Sequence, residues 1–141
     1  MEKCIIDKDF GLLTYLEMPD GDAFWIGLTL LRNYKTDIHF RAHDVDGPTI
    51  YQREFFRQIE KTYLKLTSKI YDVLPKKMKE DKQLAESLYF SEHFIPKAIL
   101  IPNFEIENRY WSMTLQSTVN NKHFLVVEFD GFEPNKSILE K

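Results

Sequence analysis

From Thr49 to Leu74, Phe56, Ile59, Tyr63, Leu66, Ile70 and Val73 recur at steps of three, four, three, four and three. That spacing keeps side chains on one side of an α-helix and predicts a single amphipathic helix. Arg53, Glu60, Lys61 and Lys65 fall on the opposite, solvated side. Thr49 with Gln52 three residues on reads as a capping box, in which hydroxyl and side-chain amide answer the unpaired amides of the first turn. Pro75 stops the helix. An apolar stripe of this length must be buried against something, and what flanks it decides the fold.

The flanking segments read as strands. Before the helix, "GLLTYLEM" (11–18), "AFWIGLTLL" (23–31) and "DIHFRAHD" (37–44) are apolar or alternating runs, separated by the turn "PDGD" and the polar connection "RNYKT". After it, "KAILI" (97–101) lies between Pro96 and Pro102, which predicts a short or edge strand. "RYWSMTLQSTV" (109–119) sets Trp111, Met113 and Leu115 on one face against Ser112, Thr114 and Gln116 on the other. "NNK" predicts a hairpin turn and "HFLVVEFDGF" (123–132) a closing strand. Residues 76–94 predict a second short helix or a helical loop, and 133–141 a polar tail. The expected fold is therefore α+β: an antiparallel sheet of three N-terminal and three C-terminal strands packed against one long helix, in a single domain spanning 1–141. Polar alternate positions predict that the other face of the sheet is at least partly wet.

Composition narrows the function classes. A chain of 141 residues with 43% hydrophobic and 14% aromatic residues has ample core material. Its net charge of −3 gives no electrostatic reason to expect nucleic acid or an anionic membrane as partner. One cysteine, Cys4, rules out an intramolecular disulfide, and it has no nearby histidine to activate it. The N-terminus lacks the apolar core of a signal peptide, and runs such as "AILI" and "FLVV" are too short to span a bilayer, so the expected location is the cytoplasm.

Candidate chemistry concentrates in "DIHFRAHDVDGPT" (37–49). His39, Arg41 and His43 alternate along one strand face, opposite Ile38, Phe40 and Ala42. On an untwisted strand His39 and His43 stand roughly 13 Å apart, too far to chelate one metal ion. "DVDG" resembles the start of a calcium loop, but Pro48 occupies the fifth position and Thr49 the sixth, where the pattern needs an oxygen ligand and glycine. Turn chemistry explains Asp46, Gly47 and Pro48 better. Glu105, Glu107, Glu128 and Asp130 are read on C-terminal strands, where Glu128 and Asp130 share a face with Phe124 and Val126. No phosphate loop, dinucleotide fingerprint or nucleophile elbow is present. No catalytic residue, metal ligand or cofactor site is assigned.

The stretch "GPTIYQREFFRQIEKTYLKLTSKIYDVL", together with "DFGLLTY" near the start and "NKHFLVVEFDGF" near the end, resembles a group of small bacterial domains. That group opens with a Phe-Gly strand, starts its helix with Gly-Pro-Thr or Gly-Pro-Ser followed by Gln, and closes with a histidine-containing hairpin and an Asp-Gly end. Some members resemble immunity proteins of polymorphic toxin systems. The resemblance covers about Asp9 to Phe132. Here Lys122 stands where the group carries glutamate before the hairpin histidine, and Phe124 where it carries glycine after His123. The resemblance implies a non-enzymatic binding protein whose partner is a toxin, and transfers no catalytic residue.

Two functions follow as expectations. The first is a binding protein that meets a protein partner, a toxin or a second copy of itself, through His39, Arg41, His43, Trp111, Glu128 and Asp130. Acidic side chains at Glu105, Glu107, Glu128 and Asp130 offer a substrate mimic to a basic toxin. The second is a small metal-dependent or acid–base hydrolase using His39, His43, His123 and neighbouring carboxylates.

Overall fold

The computed structural model describes residues 3–42, 46–74, 94–103, 110–118 and 123–140. Strands β1 (Lys3–Asp7), β2 (Gly11–Glu17), β3 (Ala23–Leu31) and β4 (Tyr34–Arg41) precede helix α1 (Ile50–Ile70), which ends in a 3-10 turn at Tyr71–Val73. Strands β5 (Phe94–Ile101), β6 (Tyr110–Ser117), β7 (Phe124–Asp130) and β8 (Glu133–Glu140) follow. All eight form one sheet in sequential order, β1 to β8.

This corrects the expected three-plus-three antiparallel sheet on three counts. First, the sheet is mixed. Every neighbouring pair is antiparallel except β4 and β5, which run parallel where α1 carries the chain across. Second, two further strands exist at the edges, β1 and β8, and β8 occupies the segment read as a polar tail. Third, β5 lies in the middle of the sheet despite Pro96. The register between β5 and β6 skips Lys97 there, so Pro96 sits at a bulge, and β4 pairs only from Ala98 onward. The missing amide of Pro96 thus interrupts no bond to β4. The second helix or helical loop expected over 76–94 and the "NNK" turn lie outside the described residues, apart from Phe94, which begins β5.

The hairpins follow from local chemistry. "RNYKT" is mostly strand, and only Arg32 and Asn33 turn, both with positive φ (54° and 70°). That is the two-residue type I′ geometry matched to strand twist, with Leu31 opposite Tyr34. Between β1 and β2 the Asp7 carboxylate accepts the amides of Asp9 (2.9 Å) and Phe10 (3.1 Å), and Gly11 takes φ +70° to enter β2.

Helix α1 covers one face. Phe56, Ile59, Tyr63, Leu66 and Ile70 are all buried against sheet residues that include Leu13, Trp25, Phe40 and Val127. Gly27 makes room at this interface. A Cβ there would lie 2.5 Å from Leu13 Cδ2 and 2.9 Å from the Leu12 carbonyl oxygen. The capping box forms as the sequence predicts: Thr49 Oγ1 accepts the Gln52 amide (3.2 Å), and Gln52 Oε1 accepts the Thr49 amide (2.9 Å). Gln52 does more than cap. Its buried Nε2 donates to the carbonyls of Arg41 (2.8 Å) and Pro102 (3.1 Å), joining the ends of the two parallel strands. Arg53, expected on the solvated side, instead turns inward to Asp7.

Candidate functional site: the open face of the sheet

With α1 on one face, strand alternation sends the remaining side chains to a face that no described element covers. His39 and Arg41 alternate with buried Ile38 and Phe40 on β4, and Glu128 and Asp130 alternate with buried Val127 and Phe129 on β7. All four therefore share the open face. Register places His39 beside Leu100, Leu100 beside Ser112, Ser112 beside Glu128 and Glu128 beside Lys136. These five form one transverse row over β4–β8. With strands about 4.8 Å apart, His39 and Glu128 stand roughly 14 Å from each other, too far for direct acid–base coupling. Asp130 pairs with Tyr110 two residues further along.

One of the other expected residues falls elsewhere. Trp111 belongs to the core. Its indole stacks on Phe129 (4.3 Å between centroids), meets Phe55 edge-on (5.5 Å) and donates from Nε1 to the Gly131 carbonyl at 2.5 Å. His43 lies outside the described residues, as do Glu105 and Glu107.

Electrostatics on this face are modest. Arg41 Nη2 contacts Asp22 Oδ1 at 2.5 Å, anchoring the guanidinium to the turn between β2 and β3. Lys136 Nζ lies 3.3 Å from Glu128 Oε2. Both pairs are solvent-accessible, so they orient side chains more than they stabilise the fold. His39 is half-buried between Ile26 and Leu100, its neighbours on either strand. Desolvation there holds its imidazole below the ordinary histidine range, partly offset by Asp37 on the same strand. His39 is accordingly a neutral hydrogen-bonding group near pH 7.

A shallow depression of about 430 Å³ opens over β5–β8, with Leu100, Tyr110, Ser112, Glu128, Asn135 and Lys136 in its lining. Alternation in β6 and β7 makes Ser112 and Glu128 readable from sequence. Asn135 and Lys136 were not, because the polar segment 133–141 carries no core pattern. A larger hollow of about 660 Å³ lies between β3, the turn after β1, and α1. Of its charged lining, Asp9 is bound by Arg53 (2.8 Å) and approached by Arg57 (3.5 Å), and burial raises the Glu60 carboxyl against the pull of Arg57.

Among the described residues no group of three or more His, Cys, Asp or Glu is placed to hold a metal ion. His39 and His123 are not brought together. They stand three strands apart, and His123 precedes Phe124, which pairs with Gln116 rather than with Ser112 of the His39 row. No described helix is long and apolar enough to cross a membrane. Comparison with protein-family models, with curated proteins and with solved structures found no match.

Proposed function

We propose that this protein is a binding protein that holds a protein partner against the open face of β4–β8, as an immunity protein holds a toxin. One observation carries the reading. On that face exposed Leu100, Tyr110 and Ile138 are interleaved with charged Arg41, Glu128, Asp130 and Lys136 on paired strands. Apolar anchors ringed by charge are the composition of interfaces between proteins that also exist apart. Glu128 and Asp130 present carboxylates two residues apart, suited to a basic patch on the partner. The sequence resemblance to immunity proteins supplies the class of partner, a toxin.

The test is direct. The product of a toxin-like reading frame beside this gene is purified in inactivated form and titrated into the protein by calorimetry. The expected result is a one-to-one complex whose affinity drops at least tenfold in Glu128→Lys and again in Asp130→Lys. Unchanged affinity in both variants, or the lack of any such neighbouring frame, would overturn the reading.

A further inference from the structure

The open face is two surfaces, divided at β4. Outward positions of β4 carry Lys35, Asp37, His39 and Arg41. Outward positions of β1–β3 carry no charge at all. There Leu13, Trp25 and Leu31 turn to the helix, leaving Ile6 80%, Leu30 59%, Leu12 58%, Leu28 53% and Leu16 44% exposed. Register sets Ile6 beside Leu12, Cys4 beside Thr14, Thr14 beside Ile26 and Leu16 beside half-buried Phe24, while Leu28 and Leu30 continue the same face of β3 beyond its pairing with β2, next to Asp37 and Lys35 of β4.

We infer that this apolar half is covered by a second copy of the chain, in a two-fold dimer that stacks sheet on sheet. Size is the first argument. Five exposed aliphatic side chains present on the order of 400 Å² of apolar surface, the range of the largest patch on an ordinary monomer. Together with Phe24, Ile26 and the surrounding rim, that is the apolar centre of an interface near 800 Å² per partner, the standard for a stable complex. Composition is the second. Exchangeable interfaces are no more apolar than the rest of a surface, whereas permanent ones resemble a core cut in half. A patch without charge is more apolar than exchangeable interfaces are, and a second copy is the one partner produced in equal amount with every chain. Charge is the third. The chain carries a net −3, yet none of that charge is on the outward positions of β1–β3, so two identical patches meet without like-charge repulsion.

Geometry agrees with both readings of the face. Sheets that pack face to face lie about 10 Å apart with strands nearly aligned. A two-fold axis along the direction of β2 places β1–β3 of each copy over those of the other. The β4–β8 halves then project to opposite sides and stay open, so the dimer does not depend on the partner-binding role proposed above.

Sedimentation equilibrium of the full chain at micromolar concentration tests this. The expected mass is twice 16.8 kDa. Ile6→Lys and the pair Leu12→Lys with Leu28→Lys should be monomeric with unchanged circular dichroism, while Glu128→Lys stays dimeric. Ile6 is so exposed that its substitution tests the interface even where the double variant fails to fold. Cys4 lies within the same patch and gives a second readout: its thiol should react several-fold more slowly with a bulky reagent in the wild type than in Ile6→Lys. A monomeric wild type overturns the inference, as does a dimer that persists in Ile6→Lys with equal Cys4 reactivity. Toxin affinity reports only on β4–β8, so the two proposals fail separately.

Discussion

Arg53 grips the carboxylate of Asp7 with both terminal nitrogens, Nη2 to Oδ1 at 2.5 Å and Nη1 to Oδ2 at 2.8 Å. The pair joins the first turn of α1 to the end of β1. The Asp7 side chain is only 4% exposed and also accepts the amides of Asp9 and Phe10. A buried carboxylate in this setting depends on its cation.

Arg53→Met should therefore cost about 2–3 kcal/mol in urea unfolding, near the low end for breaking a buried pair because Arg53 keeps some contact with water. Asp7→Asn combined with Arg53→Met should recover part of the loss, since no charge is then stranded. The Arg53 guanidinium, aided by the two amides, holds the Asp7 carboxyl below its ordinary value of 3.8. Its contribution to stability is thus complete above that ordinary value and is lost as pH falls through the depressed one. Arg53→Met should flatten this part of the acid-unfolding curve; a variant with the wild-type acid limb would refute the coupling.

Gln52 is the second tie between helix and sheet, and its three hydrogen bonds go to backbone groups. Gln52→Leu strands the Thr49 amide and the carbonyls of Arg41 and Pro102, at about 3 kcal/mol or more. Gln52→Glu aims a carboxylate at two carbonyl oxygens. Burial and those oxygens raise its pKa, so the variant should be weakest near neutral pH and regain stability in mild acid as the group protonates. Melting temperatures at both pH values check the sign, and a Gln52→Glu protein as stable as the wild type near neutrality would contradict the assignment.

These two ties show what could be read from the sequence. The helix, its capping box and its stripe were legible because each is a local pattern with one periodicity. Alternation in β6 likewise sets Ser112 opposite Trp111, but the sequence groups Trp111 with Glu128 as a partner-binding residue, because alternation alone does not say which face the helix covers. Two kinds of feature were hidden. Edge strands β1 and β8 pair on one side only and leave most side chains wet, so residues such as Asn135 and Lys136 look like a tail. Long-range pairings leave no local mark: nothing in "QREFF" says that Arg53 reaches Asp7, nor that the helix returns the chain parallel to β4. The open face was legible in part, since alternation exposes His39 and Arg41, but its division at β4 appears only once β1–β3 are aligned.

Tyr63 carries a conspicuous defect. Its ring is core, yet among the described residues its buried hydroxyl has no hydrogen-bond partner. Burial pushes the phenol well above its ordinary value, so the group is never ionised near neutral pH. Tyr63→Phe removes the unsatisfied hydroxyl at almost no cost in shape and should be neutral or stabilising by up to about 1 kcal/mol. A loss above that size in chemical denaturation would reveal a hydrogen bond to the hydroxyl.

His39 stands where the apolar and charged halves of the open face meet, with Ile26 on one side and Leu100 on the other. Desolvation by burial lowers its pKa from 6.5, and Asp37 only partly restores it. The unfolded chain therefore takes up a proton at a higher pH than the folded one. Stability from this group is intact above 6.5 and declines as pH falls through the lowered folded value, because the proton favours the unfolded chain. His39→Gln, which keeps a neutral polar group of similar reach, should remove that component of the pH dependence while leaving stability at neutral pH within about 0.5 kcal/mol. Proton NMR gives the sharper check. The imidazole resonance of His39 should titrate below the ordinary histidine range, and a midpoint at or above 6.5 would show that Asp37, not burial, governs its charge.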